Sequence, residues 1–181
     1  MFLRGAFDKA YDDEATELVN CPDVTWFGLE INEEKLHTDS TKMLSCERRL
    51  DVLSGELQIR YVFELALGRK AEVECRRFAS ADDRHLFLQS YRVRLNGGEP
   101  GDIRISTGIN GQITNSGVSH FHSVSERVYD REIMESIGKL KKNAVVVLTQ
   151  CTSGDSKPSK TDFVLKRRSI YGTYCFDGVI E

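Results

Sequence analysis

"GELQIRYVFEL", residues 55–65, decides how this chain folds. Leu57, Ile59, Tyr61, Phe63 and Leu65 alternate with Glu56, Gln58, Arg60, Val62 and Glu64. A period of two puts the first set on a dry face and the second in water, so the segment reads as a strand with one wet side. Ser54 and Gly55 bound it on one side and "ALGRK" (66–70) on the other, after which Ala71, Val73 and Cys75 alternate with Glu72, Glu74 and Arg76. The two segments form a hairpin.

The same grammar extends outward in both directions. "HLFLQSYRVRL" (85–95) is strand-like, "NGGEPG" (96–101) is a loop by its glycines and proline, and "DIRIS" (102–106) alternates again. Upstream, "TWFGLEI" and "KLHTD" flank the polar "NEE" (32–34), and "KMLSCERRLDVL" (42–53) supplies another β-compatible run. Downstream, "AVVVLTQCTS" (144–153) opens as a continuously apolar strand covered on both faces would, and residues 161–180 supply one or two more strands. One stretch stays open between a short helix and an irregular strand, because Tyr129, Ile133, Ile137 and Leu140 recur at helical spacing within residues 126–141 while Gly138 and β-rich neighbours oppose a helix. About ten short strands joined by hairpins imply an antiparallel sandwich or barrel, since a parallel sheet would need helical crossovers.

At 181 residues the chain is about one domain and can bury a core without disulfide staples. With 40% hydrophobic and 29% charged residues it has an ordinary globular composition. Its 25 basic and 28 acidic residues are dispersed and net to −3, so no basic stripe matches a phosphate backbone and nucleic acid is not an expected partner. Cys21, Cys46, Cys75, Cys151 and Cys175 are odd in number and scattered, which reads as reduced thiols in a cytoplasm. Arg4 and the acids that follow interrupt the apolar core a signal peptide needs, and no apolar run approaches the roughly 20 residues of a spanning helix. A soluble protein that does not enter a membrane is expected.

Four groups of residues could carry chemistry. Asp82, Asp83, Arg84 and His85 resemble an acid–base cluster, but they fall between two strands, where an aspartate caps free amides and charges face water. The turn is the preferred reading. His120 and His122 form an H-x-H whose spacing can hold zinc, yet no further ligands accompany it, so it reads as a chance surface pair and no metal is expected. "STGINGQITNSG" (106–117) is glycine-rich but lacks the lysine of a P-loop and the pattern of a dinucleotide fold, which leaves a long loop between strands and no cofactor. Trp26, the single tryptophan, is a candidate sugar-stacking platform, although core packing is the commoner fate of such a residue.

Taken in order, R-G at 4–5, E-L-V-N at 17–20, E-R-x-L-D at 47–51, L-x-G-E-L at 53–57, R-F-x-S-x-x-D-R-H at 77–85 and S-T-G-I-N-G-Q-I-T-N at 106–115 resemble the amino-terminal domain of glycoside hydrolase family 65. The resemblance implies an antiparallel β super-sandwich of the galactose mutarotase-like kind, in agreement with the meander. It further implies a single non-catalytic domain over residues 1–181, belonging to a larger enzyme that cleaves α-linked disaccharides such as maltose, trehalose or kojibiose by phosphorolysis or hydrolysis. That enzyme's partners would be an α-glucoside disaccharide and phosphate, and a homo-oligomer is expected.

In the family the glutamate general acid and the phosphate site lie on an (α/α)6 barrel, so neither is carried over to a residue of this chain. Met1 stands almost on the R-G motif and Glu181 falls in what reads as an unfinished strand, so a chain cut at both ends is expected. Such a chain should self-associate through a severed edge or the barrel-facing surface, with Val145 to Leu148 well inside the sheet. A free-standing carbohydrate-binding sandwich that uses Trp26 is the alternative.

Overall fold

The computed structural model describes residues 2–9, 11–97, 101–140 and 145–179, the side chains of residues 3, 4, 123, 178 and 179 excepted. Fourteen strands run through these residues. They are β1 (Phe2–Asp8), β2 (Glu17–Asn20), β3 (Asp23–Ile31), β4 (Glu34–Leu36), β5 (Met43–Asp51), β6 (Glu56–Glu64) and β7 (Lys70–Ala79). They continue as β8 (Phe87–Asn96), β9 (Gly101–Asn110), β10 (Phe121–Tyr129), β11 (Ile133–Leu140), β12 (Val145–Cys151), β13 (Lys160–Leu165) and β14 (Ser169–Val179). The fold is the expected antiparallel β-sandwich. Its sheets have the orders β1-β2, β10-β11-β12, β13-β14-β9-β3-β4 and β5-β6-β7-β8. The chain divides into two compact units, Met1–Gly28 with Arg104–Phe176 and Leu29–Ile103 with Asp177–Glu181, and the division falls within β3, β9 and β14.

In the second unit the alternation of "GELQIRYVFEL" is realised as β6. Ile59 and Phe63 are buried, and β7 places Ala71, Val73 and Cys75 beside them through the pairs Ile59↔Cys75, Tyr61↔Val73 and Phe63↔Ala71. Each fully buried side chain of this size is worth about 1.5–3 kcal/mol, which fixes the register, because a slip by one residue would bring Arg60 and Glu72 inward. The opposite face is a lattice of charge. Arg60 meets Glu72 at 2.8 Å, Glu72 also lies 3.9 Å from Arg94, and Arg76 meets Glu74 at 2.7 Å. The Arg76 guanidinium beside Glu74 holds that carboxyl below its usual range. At the edge of this sheet, β5 pairs with β6 alone among the described residues, and all nine of its residues are exposed.

Among the described residues, two clusters hold the first unit. Ile109, Met134 and Ile170 are fully buried and gather Val24, Val128, Leu148 and Phe163, so side chains of the β10-β11-β12 sheet meet those of β3, β9, β13 and β14. Ala6, Val19, Cys21, Phe121 and Leu140 form the other cluster, which anchors the β1-β2 ribbon. Gly138 makes the slot for Phe121, since a Cβ there would lie 2.4 Å from the ring. All five cysteines are free: Cys21 and Cys75 are buried, Cys46 and Cys151 exposed and Cys175 intermediate.

Three readings of the sequence need correction. Residues 126–140 form neither a helix nor a single strand. They are the β10-β11 hairpin, closed by Asp130 and Arg131 at φ 52° and 57°, and Tyr129 and Ile133 are cross-strand partners, so their spacing of four is that of a tight turn. Residue 141 lies outside the described residues. Nor is the Val145–Leu148 run deep in a sheet, because β12 is the outer strand of its three-stranded sheet and Val145 and Val147 are each 53% exposed. Finally, the glycine-rich stretch is only half loop: residues 106–110 complete β9, and the irregular part runs from Gly111 to His120 with a bridge between Asn115 and Val118. In the "NGGEPG" segment, residues 98–100 lie outside the described residues.

Candidate functional site

The Asp82–His85 knot is a turn. The Asp83 carboxylate accepts the His85 backbone N–H at 2.9 Å, Ser80 Oγ accepts the Asp83 N–H at 3.0 Å, and Ser80 and Leu86 close the ends. His85 is almost wholly exposed. Capping of backbone donors by Ser and Asp accounts for this arrangement.

Trp26 lies half-buried on β3, with its ring centroid 4.6 Å from that of Tyr171 on β14 and the planes inclined at 59°. The pair is possible because the strand between them is small. A Cβ at Gly108 would lie 2.8 Å from Tyr171 Cδ1 and 2.2 Å from the Ile170 carbonyl, while a Cβ at Gly28 would touch the Trp26 ring at 3.3 Å. Beside the rings, the Ser106 and Thr173 hydroxyls bond each other at 3.0 Å, and Thr107 Oγ1 donates to the Trp26 carbonyl at 3.4 Å. Trp26 is thus one member of a half-exposed aromatic pair; its partner, Tyr171, was not singled out from sequence because their 145-residue separation hides the contact.

The Gly111–His120 loop is tied to β2 by motif residues. Asn115 Oδ1 accepts the Asn20 N–H at 2.7 Å, and Asn115 Nδ2 donates to the Leu18 carbonyl at 2.9 Å. His120 contradicts the surface-pair reading: its side chain is 1% exposed, with Nε2 2.9 Å from Glu17 Oε1 and Nδ1 3.6 Å from Asp8 Oδ2. His122 is exposed, so the two rings do not share an environment. Glu17 has its carboxyl held below the ordinary range, first by a hydrogen bond with Asn115 and then by His120. The motifs E-L-V-N and G-Q-I-T-N therefore encode one latch.

Beside this latch the loop and the β13-β14 turn enclose an open cleft of about 300 Å³, lined by Gly111, Gln112, Ile113, Thr114, Ser119, Arg167 and Arg168. The turn is a two-residue hairpin in which Lys166 and Ser169 exchange backbone bonds of 2.8 and 3.1 Å, with Arg167 and Arg168 at φ 50° and 62°. Ser169, fully buried, accepts the Gly111 N–H at 3.0 Å. The Arg168 carbonyl would lie 1.8 Å from any Cβ at Gly111, so glycine is required there. Arg168 Nη1 donates to Ser119 Oγ at 3.0 Å and to the Phe121 carbonyl at 3.3 Å. Burial pushes the Glu126 carboxyl on β10 up, and the charge of Arg168 pulls it the other way. The arginine pair was missed in the sequence because "KRRS" carries none of the Asn-Gly chemistry by which such turns are recognised.

Among the described residues no three side chains that could ligate a metal lie together, and no helix is long and apolar enough to cross a membrane. In fold the chain resembles a solved structure provisionally assigned as a kojibiose phosphorylase from the human microbiome. The TM-score is 0.83 at 15% identity, over 98% of this chain and 24% of that one. That likeness defines the class, an antiparallel β-sandwich domain. The model of "Glycosyl hydrolase family 65, N-terminal domain" matches residues 1–163, and the chain belongs to that family. It is 31% identical over 128 residues to a kojibiose phosphorylase of Halothermothrix orenii, which covers 70% of this chain and 16% of that protein. It is 33% identical over 135 residues to a kojibiose phosphorylase of Escherichia coli, which covers 75% of this chain and 17% of that protein. The chain thus spans less than a fifth of the curated relatives it matches.

Proposed function

We propose that this chain serves as a single, non-catalytic amino-terminal domain, residues 1–181, of a longer enzyme that cleaves an α-linked disaccharide by phosphorolysis or hydrolysis. The family match over residues 1–163 carries this reading, supported by two relatives named kojibiose phosphorylase. The substrates of the whole protein would then be an α-glucoside disaccharide, kojibiose first among them, with phosphate as acceptor. The domain's work would be to pack on the catalytic part, shape its entrance and support a homo-oligomer in the cytoplasm, without nucleic acid or a membrane as partner. A glutamate acid and an opposed acceptor site are needed for inversion at the anomeric carbon, and this reading places both outside the chain.

The test is to express the open reading frame that encodes this chain in full, beside the 181-residue chain alone, and to assay phosphate-dependent release of sugar phosphate from kojibiose, maltose and trehalose. Activity in the full frame and none in the chain supports the reading. Turnover by the chain alone overturns it. A second reading, a free-standing carbohydrate-binding sandwich, is favoured by the half-exposed Trp26–Tyr171 pair, since such rings stack on sugar faces. Calorimetric titration with kojibiose and maltose decides it: binding that is abolished in Trp26→Ala would favour this second reading.

A further inference from the structure

We propose that the cleft between the Gly111–His120 loop and the Arg167–Arg168 turn binds a tetrahedral oxyanion, a phosphate either free or esterified to a sugar. Among the described residues, three hairpins place two consecutive non-glycine residues in the left-handed region: Asn32–Glu33, Asp130–Arg131 and Arg167–Arg168. The first two lead with Asn or Asp, whose short polar side chains tolerate that region, whereas the third uses two arginines. Strain kept where the usual turn residues would remove it points to a use for the side chains. Their surroundings supply one. Lys166, Arg167 and Arg168 are consecutive and exposed, none makes an ion pair among the described residues, and no carboxylate lines the cleft.

The frame around these cations is rigid. Ser169 is buried and bonded to Gly111, Gly111 is pressed against the Arg168 carbonyl, and Arg168 Nη1 is fixed on Ser119 and on the Phe121 carbonyl. One guanidinium is therefore oriented before any ligand arrives, its partner Arg167 stands next to it, and Gln112 and Thr114 add neutral donors on the opposite wall. Planar guanidinium forks match the paired oxygens of a phosphate, and pre-orientation lowers the ordering cost of binding. Glu126, which acts electrostatically on Arg168 from β10, is a carboxyl that opposes an anion there.

The test uses the 181-residue chain and amide chemical shifts in titrations with inorganic phosphate, sulfate and a hexose monophosphate, each against chloride at equal ionic strength. Saturable shifts confined to residues 111–114, 119 and 166–169 are expected, and tighter binding of the hexose monophosphate than of phosphate would identify the esterified source. Arg167→Asn should weaken binding at least fivefold while raising the melting temperature, because asparagine relieves the left-handed strain; a residue kept only for the turn could not give that pair of results. Arg168→Lys, which retains charge but not the fork, should weaken binding similarly. Unchanged affinity in both variants, shifts reproduced by chloride, or no saturation at tens of millimolar would overturn the site. The proposal stands on the arginines, so its failure leaves the domain assignment above untouched, and a chain that turned over disaccharide would leave the cleft to be judged by these titrations alone.

Discussion

The four-stranded sheet β5–β8 and the loop–turn region around Gly111 are stabilised in different ways. In the sheet, stability comes from residue class: any apolar side chain of adequate size at 59, 63, 71, 73 or 75 keeps the dry face dry, and on the charged face Glu72 meets both Arg60 and Arg94. In the loop region it comes from position. A single missing Cβ, a buried hydroxyl and a buried imidazole hold segments that are distant in sequence, and none has a substitute of the same class. The first kind of order is redundant and the second is not.

The largest effect that could break this contrast is Gly111→Ala. One added methyl, directed at the Arg168 carbonyl, should cost about 3 kcal/mol. Phe63→Leu, a larger chemical change at a buried position, should cost only roughly 1–2 kcal/mol. Urea denaturation of both variants checks the order, and the reverse order would end the comparison. Next comes His120→Ala, which empties a ring-sized space and strips Glu17 of its buried partner, for about 2 kcal/mol in the same measurement.

A smaller effect sharpens the contrast through pH. The folded Glu17 carboxyl is held below its ordinary value of 4.5, so its contribution to stability is present above that value and is lost as pH falls through the lowered one. Wild type should therefore be the more stable at neutral pH, and its melting temperature should converge on that of Glu17→Gln as the pH falls through and below the lowered value. Parallel curves would show that the latch does not depend on ionised Glu17. The smallest effect is expected of Arg60→Ala on the exposed lattice. Its melting curve should be indistinguishable from wild type in high salt, where surface pairs are screened.

The same contrast explains what the sequence revealed. The strands of the four-stranded sheet were legible because period-two alternation is a local signal, and "GELQIRYVFEL" carries it with no help from distant residues. The Asp82–His85 turn was legible for the same reason. His120 was not: two histidines at a spacing of two look alike, and only the approach of β1 and β2, more than a hundred residues upstream, buries one of them. Val145–Leu148 misled because an apolar run states what a strand can bury but not whether a second layer arrives to bury it. Asn115 and the Asn20 it holds were visible as motif members, but their pairing across 95 residues was not.

The exposure of β5 bears on the order in which the molecule comes apart. A strand with one neighbour holds about half of its amides in the ladder with β6 and turns the rest to water, and it buries none of its nine side chains to resist peeling. Opening of the second unit should begin there. In a deuterium time course the β5 amides should exchange first, those of β6 and β7 around Ile59, Val73 and Cys75 last, and a protease given brief access should cut near Val52 and Leu53 before it cuts anywhere inside the sheet.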